Sequence, residues 1–145
     1  MNALWNILYS VFFLALVAYA LIWLTATGQL VLFIPAFHIM LLSLATFRLI
    51  RLFTYDHITA WLRDWFSAKD EGTFLGTAGR LLTCPWCTGV WFAFLVYLAY
   101  AVAPLAMIPL AIILSISAIA SFLQLLSNLV GWSAEAKKRE AKGRE

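Results

Sequence analysis

The sequence predicts an all-α, polytopic membrane protein with four transmembrane helices and one amphipathic interfacial helix on the cytoplasmic side. Of its 145 residues, 64% are hydrophobic and only 12% are charged, and the mean hydropathy is +0.91. An average soluble domain is roughly half apolar and a quarter charged. A chain of this length folded in water has too small an interior to bury so much apolar surface. Lipid is therefore the expected solvent for most of the chain.

Four apolar stretches are long enough to span a membrane, because about 20 helical residues cross a hydrocarbon layer of about 30 Å. Pro35 is expected in the first turn of the second helix, where its missing N–H is harmless. Pro104 and Pro109 are expected to bracket a tight turn before the fourth helix. Residues 1–132 should form one transmembrane domain, and residues 133–145 a charged tail. The predicted spans are residues 4–24, 35–53, 85–102 and 109–130.

The basic residues predict the orientation. All ten Lys and Arg side chains lie in the tail or in and around the segment between the second and third spans. Basic residues favour the cytoplasm, and four spans place both termini and this central segment on one side. We therefore expect a multi-pass protein of the cytoplasmic (inner) membrane with cytoplasmic N- and C-termini.

The central segment, residues 54–83, contains the pattern of one amphipathic helix over about residues 57–69, with Asp56 as its N-cap. Trp61 and Trp65 on its apolar face suit the headgroup layer, although the same face could pack on the spans. The following GTFLGTAG predicts a flexible connection. Asp56 and anionic lipid headgroups are the expected partners of nearby arginines. Lipid or partner binding is assigned to Arg48, Arg51, Arg63, Trp61 and Trp65.

The motif CPWC contains the only two cysteines. Cys84 is expected to cap the third span and Pro85 to open it, with Cys87 one turn later on the same face. Free amides and the helix dipole there favour a thiolate. The pair has three interpretations: packing residues, a redox pair, or part of a zinc site. Tetrahedral zinc needs four ligands, which His57, Asp56 or a second copy of the chain would complete.

The fourth span carries a polar stripe on one face. In lipid, such a face turns toward other helices, where each hydrogen bond contributes roughly 1 kcal/mol or less. This predicts helix packing, and a homo-oligomer if the contact is between chains; the alternative is the lining of a water-filled path. The stripe consists of Ser117, Ser121, Gln124 and Asn128.

The segment LATFRLIRLFTYDHIT, residues 44–59, followed by LLTCPWCTGVW, residues 81–91, resembles domain-of-unknown-function family 1360, small bacterial and phage membrane proteins. The resemblance covers roughly residues 37–130, and the first span looks like an addition to the usual pattern. It implies that the arginine–aspartate segment and the CxxC pair belong to one cytoplasmic-side unit, but it implies no reaction or ligand. The residues that carry it are Thr46, Arg48, Arg51, Asp56, Thr59, Arg63, Cys84, Trp86, Cys87, Gly89 and Trp91.

Three functions are compatible with these features. The first is a non-enzymatic membrane and interaction module with a cytoplasmic-side cluster around CPWC that takes a metal or holds a partner. The second is a holin-like pore former, and the third a membrane thiol-disulfide oxidoreductase. The sequence contains no Gly-rich phosphate loop, paired catalytic carboxylates or Ser/His/Asp set, so we expect no enzyme outside thiol chemistry. Nucleic-acid binding is not expected, because the basic residues lie against the membrane and mix with acids.

Overall fold

The computed structural model describes residues 2–69 and 73–142, and within these ranges all regular secondary structure is helical. Helices α1, α2, α5 and α6 are long and apolar enough to cross a membrane. The predicted all-α fold with four transmembrane helices is confirmed. In chain order the elements are α1 (Asn2–Ala26), α2 (Ala36–Thr54), a 3₁₀ turn (His57–Thr59), α3 (Ala60–Ser67), α4 (Phe74–Thr83), α5 (Pro85–Val102) and α6 (Pro104–Lys142).

Helix α2 lies at the centre of the bundle and packs against both α5 and α6. The side chains between these three helices form the core, and two of its members are alanines, which let the backbones approach closely. On the α5 side, a Cβ added to Gly89 would lie 3.2 Å from Cδ1 of Ile50, so this glycine also marks a close helix contact. The core consists of Leu42, Ala45, Val96, Tyr100, Met107 and Ala111.

Hydrogen bonds also join the spans. The His38 ring atom Nδ1 lies 2.8 Å from the hydroxyl of Tyr100, which links α2 to α5. The buried Ser115 hydroxyl lies 2.9 Å from the carbonyl oxygen of Leu41 and ties α6 to α2. Because lipid offers no hydrogen bonds, a polar group inside the bundle needs such internal partners.

Helix α1 packs on α4 and α5 through aromatic rings. Tyr9 stacks on Phe74 at a centroid distance of 4.9 Å and donates its hydroxyl hydrogen to the Phe74 carbonyl at 3.1 Å. Further along the helix, Phe13 meets Trp91 edge to face at 4.8 Å. These two contacts fix the direction of α1: its N-terminal part lies beside α4, and it then runs alongside α5.

The helix boundaries differ from the expected ones at both prolines. Pro104 opens α6 directly, and Pro109 lies inside that helix rather than at its start. Its ring fits a helical φ, and the missing N–H removes one bond, to Leu105 one turn earlier. At the other end, α6 continues through the predicted charged tail to Lys142, while residues 143–145 lie outside the described residues.

The largest departure from expectation is α4. The stretch GTFLGTAG was expected to be a flexible connection, but residues 74–83 form a helix whose N-cap hydroxyl, on Thr73, accepts a hydrogen bond from the Gly76 N–H at 3.2 Å. Gly72, the first residue of the stretch, lies outside the described residues. Gly79 thus serves close packing and not flexibility: a Cβ on this residue would come within 3.1 Å of the Phe66 backbone oxygen on α3.

Helices α3 and α4, the 3₁₀ turn and the adjoining ends of α2 and α5 lie together, and we call this region the α3–α4 end. The predicted interfacial helix over 57–69 is realised as the 3₁₀ turn and the shorter α3. Its apolar residues divide between two directions. Leu62 and Phe66 are half-buried against the protein, whereas Ile58, Trp61 and Trp65 point outward and are exposed.

Candidate functional site at the α3–α4 end

A network of hydrogen bonds stabilises the corner of the chain between the end of α2 and the 3₁₀ turn. The Nη1 atom of Arg63 donates to the carbonyl of Phe53 at 3.0 Å, the carbonyl of Asp56 at 2.9 Å and the hydroxyl of Thr59 at 2.9 Å. The buried Thr59 hydroxyl donates in turn to the carbonyl of Leu52. The last carbonyls of a helix have no partner within the helix, so these side chains supply what the end of α2 lacks.

An ion pair completes the corner. Nη1 of Arg48 lies 3.1 Å from Oδ2 of Asp56, and the two side chains are only 18% and 28% exposed. The expected pairing with Asp56 is confirmed for Arg48, whereas no ion pair joins Asp56 to Arg51 within the described residues. The Asp56 side chain makes no capping hydrogen bond to the helical turn that follows, because its carboxylate is directed to Arg48. We call Arg48, Asp56, Thr59 and Arg63 the corner frame.

The CPWC motif lies at the same end, between α4 and α5. Cys84 is the N-cap of α5 and Pro85 its first residue, as predicted, and the N–H of Cys87 lies 3.5 Å from the Cys84 sulfur. Hydrogen bonding by the Cys87 thiol, and then by the Cys87 backbone N–H, lowers the pKa of the Cys84 thiol. The lowered pKa favours the thiolate form of Cys84. Its position at the N-terminus of α5 favours negative charge as well.

A threonine ties CPWC to the helices on either side. The buried Thr88 hydroxyl, one turn into α5, donates to the Leu81 carbonyl at 2.7 Å and so holds the end of α4. The hydroxyl of Thr54, at the end of α2, reaches the next carbonyl, that of Leu82, at 3.5 Å. The arginine–aspartate segment and the CxxC pair therefore occupy one end of the molecule.

Within the described residues, no three His, Cys, Asp or Glu side chains come together in a group that could hold a metal. Asp56 is engaged by Arg48, and His57 is exposed in the 3₁₀ turn. The cysteine pair offers two ligands per chain, so a four-cysteine zinc site would need two chains. The zinc, redox and packing interpretations of CPWC all stay predictions.

The side chains assigned to lipid or partner binding fall into two groups. Arg48 and Arg63 are held by the corner frame. Arg51 is not part of this frame. Its guanidinium lies 5.7 Å from the ring centroid of Tyr55. Its Nε is buried without a hydrogen-bond partner among the described residues. Trp61 is 70% exposed. Trp65 is 51% exposed, and the Lys69 ammonium lies 5.3 Å from its ring centroid.

The polar stripe of α6 lies mostly outside the core. The Ser121 hydroxyl donates to the Ser117 carbonyl of the same helix at 2.8 Å, and the exposed Gln124 amide donates to Asn128 at 3.1 Å. Packing between chains and the lining of a pore both stay predictions for these residues. Sequence reasoning missed Ser115, which does join two helices. Its signal was the spacing of four residues from Ala111 and eight from Met107, both core residues.

Two further polar side chains at this end were not predicted from the sequence. Arg80 has buried Nε and Nη2 atoms, and Thr77 a buried hydroxyl, with no hydrogen-bond partner among the described residues. Both face a cavity of 570 Å³ between α1, α4 and α5, and Cys87 also lines it. Their spacing of three residues places them on one face of a helix, but this pattern is informative only once residues 74–83 are known to be helical.

Comparison with known proteins identifies a family and two relatives that the chain resembles. The model of a family described as "Protein of unknown function (DUF1360)" matches residues 41–78 and 67–127. Sporulation protein YjcA of Bacillus subtilis (strain 168) is 40% identical over 104 residues, and the match covers 61% of this chain and 88% of the relative. UPF0713 protein YngL of the same organism is 34% identical over 95 residues, covering 58% of this chain and 73% of the relative.

No solved structure matches the chain. The matched region begins within α2 and ends within α6, so it contains the corner frame, α3, α4 and CPWC, whereas α1 lies before it. This agrees with the expected resemblance over residues 37–130 and with a first span added to the usual pattern. The chain belongs to the DUF1360 family of proteins of unknown function.

Proposed function

We propose that the protein is a non-enzymatic membrane module whose α3–α4 end faces the cytoplasm and binds anionic lipid headgroups through α3. The observation that carries this proposal is the combination of cations and outward-facing aromatic rings at this end. Lys69 lies over Trp65 and Arg51 lies over Tyr55. Trp61, on the same helix as Trp65, is exposed. Amphipathic aromatic rings favour the headgroup layer, and cations there attract anionic lipids.

The corner frame supports a structural role for its own polar groups. Arg63 directs three donated hydrogen bonds to oxygens of the protein, and Asp56 accepts from Arg48. These groups stabilise the turn after α2 and thereby set the angle at which α3 leaves the bundle. In this proposal the frame is a rigid mount. The exposed residues of α3, together with Arg51 before it and Lys69 after it, are the binding surface.

The charge distribution supports the orientation. The basic residues of the chain lie at the α3–α4 end, around it and in the tail. In contrast, the connections at the other end, residues 27–35 and 103, carry no charged side chain. Basic segments are retained on the cytoplasmic side during insertion, so this distribution favours a cytoplasmic α3–α4 end.

Tryptophan quenching tests the binding surface. The full chain is reconstituted in phosphatidylcholine bilayers that contain brominated lipid, either phosphatidylglycerol or phosphatidylcholine, in equal amounts. The difference between wild type and the double variant Trp61→Phe, Trp65→Phe isolates the signal of α3. We expect these two rings to be quenched roughly threefold more by the anionic lipid, since each basic residue near a charged surface contributes about 1 kcal/mol.

The matched variants are Arg51→Gln with Lys69→Gln, which should remove the preference, and Lys137→Gln with Lys138→Gln in the tail, which should keep it. Equal quenching by the two brominated lipids in wild type would contradict the proposal. Orientation is measured separately, by the accessibility of a cysteine introduced at Ser67 to a membrane-impermeant reagent in intact cells. Rapid labelling from outside would contradict a cytoplasmic α3–α4 end.

A further inference from the structure

The cavity between α1, α4 and α5 has the chemistry of a binding site. Its volume of 570 Å³ falls within the range of pockets that hold small molecules, roughly 300 to 1,000 Å³. Two helices that line it, α4 and α5, belong to the region matched by the family. The third wall is α1, so this chain closes the site with a helix that precedes the matched region.

Two polar side chains that line the cavity have buried donors that the protein leaves unused. Thr77 is 1% exposed and its hydroxyl has no hydrogen-bond partner within the described part of the chain. The same holds for Nε and Nη2 of Arg80, both buried. Burying a polar group without a partner costs about 1–3 kcal/mol, and more for a charged one. A ligand that accepts these hydrogen bonds would therefore bind favourably.

The identity of the two free arginine atoms specifies the shape of the acceptor. Nε–H and one N–H of Nη2 lie on the same edge of the guanidinium plane and point in parallel directions. This edge is the fork that binds two oxygens of one phosphate or carboxylate. At Arg51, by contrast, Nε alone among the side-chain nitrogens is both buried and without a partner in the described part of the chain. Arg80 is thus prepared for a bidentate anion.

The cavity becomes apolar toward the interior of the bundle. α1 and α5 both begin at the α3–α4 end, as the contact of Tyr9 with Phe74 shows for α1. Asn6 and Ser10 therefore line the outer part, near α4, whereas Leu14 lies further along α1. Trp91 lies further along α5. A ligand that fills the whole volume needs an anionic group at one end and an apolar chain at the other.

From this gradient we propose that the cavity binds one anionic phospholipid, with its phosphate on the Arg80 fork and an acyl chain beside Leu14 and Trp91. Free phosphate offers the same oxygens to Arg80 but leaves the apolar part empty. The proposal is independent of headgroup binding by α3, because it uses neither Arg51, Lys69 nor the tryptophans of that helix.

Native mass spectrometry of the full, delipidated chain in detergent tests the site, with phosphatidylglycerol or diacylglycerol added; diacylglycerol has the same acyl chains but no phosphate. Wild type should retain one phosphatidylglycerol with about tenfold higher affinity than diacylglycerol, a factor that corresponds to one well-formed charged contact. Arg80→Gln should remove this preference, and Arg80→Lys, which keeps the charge without the fork, should fall between. Arg139→Gln, an exposed tail arginine, is the matched control and should bind as wild type does.

A second variant leaves Arg80 intact. Leu14→Trp fills the apolar part and should weaken the retained lipid while helix content, measured by circular dichroism, stays unchanged. Undiminished phosphatidylglycerol binding by Arg80→Gln would overturn the proposal. So would displacement of the lipid by inorganic phosphate at equal concentration, since that would assign the site to the anion alone. Arg51→Gln with Lys69→Gln should leave this binding intact, which separates the site from α3.

Discussion

The corner frame and the cavity beside α4 use arginine in opposite ways. In the corner, one atom of Arg63 serves three oxygens of the protein, and Arg48 is paired with Asp56. In the cavity, the corresponding donors of Arg80 have no partner among the described residues. Both regions lie at the same end of the bundle. Whether backbone carbonyls reach an arginine therefore decides whether its donors serve the protein itself or stay available for the ligand that we propose.

The largest expected effect is on the corner. Arg63→Ala should lower the free energy of unfolding by about 2–3 kcal/mol, because the carbonyls of Phe53 and Asp56 lose a charged donor and stay half-buried. Reversible unfolding in mixed detergent micelles, followed by circular dichroism, measures this. Arg139→Ala is the control: its pair with Glu135 is 80% and 64% exposed, so we expect a change within about 0.5 kcal/mol. Equal effects of the two variants would show that the frame does not clamp the corner.

The second effect concerns the contact between α3 and α4. Gly79→Ala should destabilise the protein by about 1 kcal/mol, because its Cβ would lie 3.1 Å from the Cβ and the carbonyl oxygen of Phe66. In Gly131→Ala the new Cβ meets nothing within 4 Å, so helix propensity should make that variant neutral or slightly stabilising. The same unfolding assay compares them. A neutral Gly79→Ala would mean that α3 moves freely over α4 and that the mount is not rigid.

The smallest effect is on thiol reactivity beside the cavity. Cys87→Ala removes the largest cause of the lowered pKa of Cys84, so that pKa should rise toward its usual value. Since the thiolate is the nucleophile, less of it is then present at neutral pH, and alkylation of Cys84 should slow roughly threefold. Peptide mass spectrometry after timed alkylation at several pH values measures the rate at Cys84.

Cys87→Ser is the matched variant, because its hydroxyl keeps a donor at the same position. It should shift the pH profile of Cys84 alkylation less than Cys87→Ala does. Identical pH profiles of Cys84 alkylation in wild type and Cys87→Ala would contradict the claim that Cys87 lowers the pKa of Cys84.

The spans could be predicted from sequence because lipid imposes one requirement on every residue of a crossing segment. A backbone in hydrocarbon must form a helix, and its side chains must be apolar over a fixed length. Short helices outside the hydrocarbon follow no such rule. Residues 74–83 contain two glycines, Gly76 and Gly79, which argue against a helix by propensity. Gly79, however, is required by the close approach of α3.

The site was predictable where partners are near in sequence. Arg48 and Asp56 flank the end of one helix, so their pairing followed from the helix boundary. The three hydrogen bonds of Arg63 depend on how sharply the chain turns after Thr54, and the free fork of Arg80 depends on where α1 packs. Neither the turn angle nor the position of a helix distant in sequence is encoded in a local pattern.

Helix α6 is continuous over 39 residues, and at 1.5 Å per residue its length is about 58 Å, nearly twice a hydrocarbon layer of about 30 Å. Its first half packs against α2, through residues such as Ala111 and Ser115. The second half, about 29 Å long, extends beyond this contact. A change of about 10° in its direction would move the charged end sideways by about 5 Å, so the tail magnifies any reorientation at the contact.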